Sequence, residues 1–394
     1  PFVNRLRAAA GSDTVVHVLT PADFEQPMPA RTDVPTWRFR ARDVRDVAFT
    51  VARRITWDAT RTAVGDRDGD GTMDYTAIHA IWRPNAPRWR NAAAYAAHSI
   101  RFLSQYTGVP YPWPHMTSVE GEGIIGGGME YPMMTLIGAY NTRGDSALYY
   151  VVAHELAHMW VPMIAGVDER RFGWMDEGMT TFHEAQARKD YFPGSTPELE
   201  DRAGYLDFAR ASEEGEIMRR SDFHYSGGAY GTASYPKPAV AFAALRGVLG
   251  QARFDRAWRR FLHDWAFKKP QPWDLFNTVE TVAGEDLDWF WRTWFYETWT
   301  LDQAVRGVTV DRGVATIVIE DIGNAPMPAR VTVTRAGGGT ETLEVPVQIW
   351  LRGARTTTIT LPTTTSTAPI VRVEIDAANE FPDIDRTNNV WPRP

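Results

Sequence analysis

His154-Glu155-Leu156-Ala157-His158 is the segment of this chain whose residue types and spacing most directly permit chemistry. It lies in an apolar stretch that reads as a helix. Residues i and i+4 share one helical face, so both imidazoles can reach a single metal ion. Glu155 is rotated by about 100° from His154. Its carboxylate then stands beside the metal's open position, where it can take a proton from water. Alone, the pattern also fits a helix with two unrelated histidines and a surface glutamate. A catalytic zinc needs three protein ligands and one open position. Trp174-Met175-Asp176-Glu177-Gly178 supplies a further carboxylate at the start of the next helix, with eighteen residues between His158 and Glu177. His154, His158 and Glu177 then make a His₂Glu set. Glu184 follows about two turns along the same face, where it either holds a ligand imidazole from behind or is an ordinary exposed helix residue.

Several elements must position these groups. Asp145 or Ser146 can cap a helix running to about Trp160, with Pro162 near its end. Asp176 can cap the next, which reaches Tyr191 before Pro193-Gly194. Upstream, Val47–Trp57 and Tyr75–Trp82 read as strands flanking a turn-rich tip at Asp66–Gly71. Trp89–Tyr106 is Ala-rich and helical, stopped at Gly108. Pro110, Pro112 and Pro114 make an extended lead into another strand, and Gly126-Gly127-Gly128 precedes Met129-Glu130-Tyr131-Pro132.

Beyond the candidate site the pattern is helical from Pro238 to Glu297, over Ala239–Leu249, Phe254–Trp265, Trp273–Val282 and Leu287–Tyr296. At about Leu301 the period changes to two. Val305–Val310, Val314–Ile319, Arg330–Thr334, Thr342–Ile349, Thr356–Leu361 and Val371–Ile375 alternate, with hairpin signals at Arg312-Gly313 and Gly337-Gly338-Gly339. This predicts a separate all-β module over 301–394, a sandwich. Thr363–Thr367 reads as a short biased loop. Residues 1–45 are broken by Pro21, Pro27, Pro29 and Pro35, and only Val15–Leu19 and Trp37–Arg40 read as strands. They are expected to be the remnant of a larger N-terminal β-domain, which leaves 46–300 as the catalytic domain.

The composition is that of a globular protein of several domains: 394 residues, 44% apolar and 23% charged. A net charge of -7 gives no reason to expect nucleic acid or an anionic membrane as partner. There is no Cys, so disulfides and thiolate metal sites are excluded, and a transition metal must be held by His and carboxylates. No apolar run reaches transmembrane length. The chain starts Pro1-Phe2 without Met, so the natural N-terminus is expected to be missing.

The His154–His158 pattern with Glu177 after eighteen residues, and Gly127-Gly128-Met129-Glu130 upstream, resembles the gluzincin zinc aminopeptidases, the family of the alanyl, puromycin-sensitive and leukotriene-hydrolase enzymes. Tyr235-Pro236-Lys237-Pro238-Ala239 is similar to the family's Tyr-x-Lys-Gly-Ala segment, and Leu287–Trp291 through Trp294-Phe295 to its late helix. The resemblance covers roughly 45–300 in five ordered segments. Tyr131 stands where the family usually has Asn, and Pro238 replaces a common Gly. The resemblance implies an α+β fold: a thermolysin-like catalytic domain followed by the β-sandwich. It implies zinc as cofactor, Glu155 as general base, and Tyr235 as donor to the oxyanion. Gly127, Gly128 and Met129 would form the sheet edge along the peptide. Glu130 would pair with the substrate's α-ammonium, so the expected partners are peptides with a free N-terminus.

Two competing activities remain: a thermolysin-like endopeptidase, against which Glu130 argues, and a catalytically silent peptide-binding protein, against which the complete ligand set and base argue. Asp66, Asp68, Asp70 and Asp74 match the first half of a calcium loop, but Ala77 stands where its last acidic ligand belongs and the loop joins strands. Calcium and a solvated acidic hairpin are both open readings. With the absent Met, this loop leans the expected location toward the periplasm or secretion.

Overall fold

The structure is a computed structural model that describes residues 2–25, 34, 36–138, 140, 145–363 and 368–393. Pro27, Pro29, Pro35 and most of the Thr363–Thr367 loop lie outside the described residues. The fold is α+β. Its two compact units are drawn differently from the boundaries expected at residues 45 and 300: one comprises 1–168, 175–197 and 258–271, the other 169–174, 198–257 and 272–394.

In the first unit, helix α1 (Phe2–Ala10) is followed by strands β1 (Val16–Leu19), β2 (Thr56–Gly65) and β3 (Asp74–Trp82), helix α2 (Ala92–Thr107), strands β4 (His115–Glu120), β5 (Gly128–Tyr131) and β6 (Met134–Ile137), and helices α3 (Asp145–Ala157) and α4 (Met179–Tyr191). The strands make one six-stranded sheet in the order β1-β2-β3-β4-β6-β5. β3, β4 and β6 run parallel, while β5 pairs antiparallel with β6 and forms the sheet's edge. Gly108, at φ 72°, stops α2 in the left-handed conformation that glycine adopts without steric cost. Helix α3 is apolar on every side, and Leu148, Tyr149, Val152, Ala153, Leu156 and Ala157 are all buried. It therefore runs inside the unit, sharing a core with Ile78 and Ala80 of the sheet, Trp89 just before α2, and Ile100 and Leu103 along it.

Four expectations need correction here. Val47–Trp57 is not a strand: Val47, Phe49 and Val51 alternate but stand 77%, 79% and 86% exposed, and the strand begins only at Thr56. Trp37–Arg40 is likewise irregular. An alternating pattern fixes a strand only where a neighbouring strand takes its backbone hydrogen bonds. The described part of 1–45 does not stand apart, because β1 pairs with β2 and Ala9 of α1 packs with Val18 and Ala59. Finally, α3 ends at Ala157, and a wide π turn at Met159–Ile164 carries the chain through Pro162.

The second unit begins with helices α5 (Pro197–Ala211), α6 (Gly227–Ser234) and α7 (Pro236–Leu249). Helix α8 (Gln251–Asp264) crosses between units, and α9 (Pro272–Ala283) and α10 (Asp288–Trp291) follow. Seven strands come next: β7 (Gln303–Asp311), β8 (Val314–Asp321), β9 (Ala329–Arg335), β10 (Thr340–Val345), β11 (Thr356–Pro362), β12 (Ile370–Ile375) and β13 (Val390–Trp391). They form a four-stranded sheet, β10-β9-β12-β13, and a three-stranded sheet, β11-β8-β7, around one core that includes Val305, Ile317, Ile319, Val331, Val333 and Val373. The strand expected to reach Ile349 ends at Val345, and Gln348–Leu351 is a helical turn, α11, that buries Trp350.

A buried ion pair pins the start of α7. Lys237 Nζ lies 2.8 Å from Glu214 Oε2 and donates to the carbonyls of Gly215 and Glu297 at 3.1 and 3.2 Å. Burial lowers the lysine's pKa, and Glu214 opposes that shift. Glu214→Gln leaves a buried ammonium without its counter-charge, which is expected to destabilise the protein by about 3 kcal/mol. Urea unfolding followed by tryptophan fluorescence measures this.

Candidate active site

The i, i+4 phase of α3 brings His154 and His158 together, with ring centroids 5.0 Å apart. Their Nε2 atoms converge on one oxygen: Glu177 Oε2 lies 3.1 Å from His154 Nε2 and 3.3 Å from His158 Nε2. Glu177 reaches this point from a wide π turn, Trp174–Gly178, that leads into α4. The outer nitrogens are held too. His154 Nδ1 meets Glu184 Oε2 at 3.1 Å. Glu184 in turn accepts from Arg188 Nη1 at 3.4 Å, and that guanidinium lies 3.5 Å over the Tyr150 ring. Of the two readings of Glu184, the structure brings it to the imidazole. His158 Nδ1 points to the Val161 carbonyl at 3.1 Å, which also accepts from Thr180 Oγ1 at 3.1 Å.

Asp176 was expected to cap α4, but Gly178 occupies the N-cap position. The Asp176 carboxylate is buried, with Oδ1 2.9 Å from His158 Nδ1, a charge contact off the line of a good hydrogen bond. Sequence reading missed this role because an acidic residue two places before a helix ordinarily reads as a cap. Its position beside Glu177 was the available signal.

The carboxylates decide the charge of the site. Burial alone would depress His154, but hydrogen bonds to Glu177 and Glu184 push it up to about 10. His158 is raised well above its ordinary value in the same way, chiefly by Asp176 against the effect of burial. Burial would raise Glu177, yet the two imidazoles hold it well below the usual carboxylate range. A field that stabilises positive charge at both Nε2 atoms, with a carboxylate as third donor, suits a divalent cation that displaces those protons. The three donor atoms all lie within 4.8 Å of one another. With two nitrogens, one carboxylate and no thiolate, the set fits zinc, and His154, His158 and Glu177 would hold it.

Glu155 is 4% exposed, and burial pushes its pKa up to about 7. Its Oε2 is buried without a hydrogen-bond partner. Glu130, Glu155 and His158 each offer an atom within 4.8 Å of the others, so edge strand β5 brings Glu130 to the same place. Gly128 makes that approach possible: a Cβ there would sit 2.0 Å from Glu155 Oε1 and 2.3 Å from its Cδ. Gly127 meets no such obstacle, and its carbonyl accepts from Gly138 N at 2.7 Å. Met129 pairs with Leu136 across the edge. Tyr235 belongs to the second unit, at the break between α6 and α7.

His79, His98 and His183 serve packing, as expected: His79 accepts from Trp57 Nε1, His98 lies between Asp190 and Tyr149, and His183 accepts from Trp258 Nε1. His263 lies exposed beside Asp264. The Asp66–Asp70 tip gives calcium no support. Asp66 accepts the amides of Gly69, Asp70 and Gly71, and Asp70 accepts from Thr72. Asp74 turns away to the Arg67 amide. The carboxylates close the turn themselves, although Asp66, Asp68 and Asp70 cluster.

The profile described as Peptidase family M1 domain matches residues 92–294, just over half of the chain. The chain belongs to peptidase family M1. It is 26% identical over 214 residues to Aminopeptidase M1-C of Oryza sativa subsp. japonica, covering 50% of this chain and 24% of that one. To Probable aminopeptidase 1 of Saccharolobus solfataricus it is 24% identical over 238 residues, 57% of this chain and 30% of that one. The chain thus spans about a quarter of the length of the curated relatives it matches. Among solved structures, the crystal structure of Legionella pneumophila aminopeptidase A in complex with aspartic acid shares the fold, with TM-score 0.60 at 16% identity, covering 82% of this chain and 38% of that one. Zinc dependence is a property of family M1, in keeping with the donor set described above.

Three outcomes are expected. The protein holds one zinc per chain by elemental analysis, and Asp176→Asn weakens zinc binding about tenfold or more in a chelator competition, with helix content unchanged. Gly128→Ala keeps its zinc but displaces the Glu155 carboxylate. Turnover of an aminoacyl reporter substrate falls about a hundredfold, the scale of a misplacement of about 1 Å.

Proposed function

We propose that this chain carries the catalytic centre of a zinc aminopeptidase that hydrolyses the first peptide bond of peptides with a free N-terminus. The observation that carries the reading is Glu130, a second carboxylate brought by a sheet edge to the place where Glu155 and His158 meet. A zinc ion held by His154, His158 and Glu177 would supply a Lewis acid for the scissile carbonyl and for the attacking water.

The chain's own residues do the rest. Glu155 takes a proton from the attacking water with its unpartnered Oε2 and delivers it to the leaving amine. Its burial suits this work, since a base with a pKa raised toward neutrality can both accept and return a proton. The free side of β5 can hydrogen-bond an extended peptide as an added strand, with no side chain at Gly127 or Gly128 to hold it off. Glu130 then pairs with the α-ammonium and fixes how far the peptide enters. By the family resemblance, the Tyr235 phenol donates to the oxyanion as it develops. Asp176 and Glu184 keep the imidazoles in orientation.

An endopeptidase would use the same base and the same strand edge but would have no use for a carboxylate at Glu130. The full-length protein should cleave free-amine aminoacyl reporters far faster than their N-acetylated forms. Glu130→Ala should lower kcat/KM for the free-amine substrate and narrow that preference. Glu155→Gln should lose about a hundredfold or more on either substrate while keeping zinc. Equal cleavage of free and acetylated substrates by the wild type would overturn the aminopeptidase reading and favour the endopeptidase.

A further inference from the structure

A cleft of about 740 Å³ lies wholly inside the second unit, walled by α10 and the turn after it, the loop after β8, and α11. Its volume falls in the roughly 300–1,000 Å³ range of small-molecule sites. Three indoles line it. Trp289 and Trp299 are half-buried, and Trp350 is buried. Trp350 Nε1 has no hydrogen-bond partner. Asp321 lines the same cleft with its side chain 3% exposed; its Oδ2 accepts from Arg355 Nη1 at 3.2 Å, and its Oδ1 has no partner. One wall system thus buries an unused donor and an unused acceptor, each a cost to the fold if left unmet. Neither serves the reaction proposed above.

The cations of the cleft are already matched. Arg355 is shared among Asp321, the Gly323 carbonyl and Asn324 Oδ1. Arg292 lies 3.3 Å from Glu297 and 5.2 Å over the Trp299 ring. Asp288 adds a further carboxylate to the lining. This balance does not favour an anion. Asp321 and Trp350 put a carboxylate and an indole N–H among the lining residues, and a hydroxyl is one group that can meet both kinds of atom. Flat apolar walls flanked by carboxylate, amide and guanidinium groups suit a ring that carries C–H on its faces and hydroxyls on its rim. We propose that this cleft binds a neutral carbohydrate, as a short oligosaccharide.

The test uses the whole protein with maltotriose, cellotriose and triacetylchitotriose, followed by saturation-transfer NMR and by tryptophan fluorescence. At least one probe should bind with a Kd of about 1 mM or tighter. Trp299→Ala should weaken it about tenfold, the scale of a lost aromatic contact. Leu351→Arg, a rim substitution that obstructs the cleft and asks nothing of the core, should do the same should the tryptophan variant fail to fold. Glu155→Gln should bind the probe as the wild type does, so the result is independent of the proposed peptidase chemistry. No binding of any probe at about 10 mM, or binding unchanged by the cleft substitutions, would overturn the proposal. So would a blocked acidic peptide that binds and is lost in the same variants while the sugars do not bind.

Discussion

Two imidazoles must point at one carboxylate oxygen, and most of the first unit follows from that requirement. His154, His158, Glu155, Asp176 and Glu177 are buried or nearly so, next to an apolar core. Charged groups survive there only when each is matched. The two imidazoles are accordingly held on both sides, by Glu177 within and by Glu184, Asp176 and the Val161 carbonyl without. Helix α3 supplies the common face, and the wide turn before α4 supplies the opposing carboxylates. The apolar surroundings that bury α3 are also what make these charge contacts strong.

One departure from this matching is instructive. Glu155 Oε2 is buried with no partner. An orphaned acceptor is a local cost that the surrounding fold must offset, and such costs concentrate where a group is kept ready for a substrate. Gly128 extends the same logic to the sheet. It lets β5 come so near the Glu155 carboxylate that any side chain would collide with it. Sheet edge and helix therefore act as one device, in which the strand that would align a peptide also confines the Glu155 carboxylate.

The second unit meets the problem of buried charge differently. Lys237 is matched by Glu214 and by two carbonyls, so the pair fastens the start of α7. The tryptophan cleft leaves one donor and one acceptor unmet. The first is a tie between elements within the unit, while the second lies among the residues that line an open cleft.

The sequence by itself determined the chemistry that depends on local periodicity. The phase of α3, the glutamate eighteen residues on, the stop at Gly108 and the alternation of the C-terminal strands are short-range facts, and short-range sterics and pattern suffice to read them. What required tertiary structure was every decision between equal local alternatives. Val47–Val51 alternates as well as Thr56–Gly65, but only the latter has neighbours for its backbone. Asp176 could cap a helix or face His158, and the wide turn at Trp174–Gly178 chose the second. The Asp66–Asp70 tip could hold a cation or close on its own amides, and the turn geometry chose the amides. Gly128 read as one glycine of three until the position of Glu155 gave it a reason. In each case the deciding atoms lie on a different segment or are fixed by a turn that pattern does not encode, and only the folded chain brings them within range.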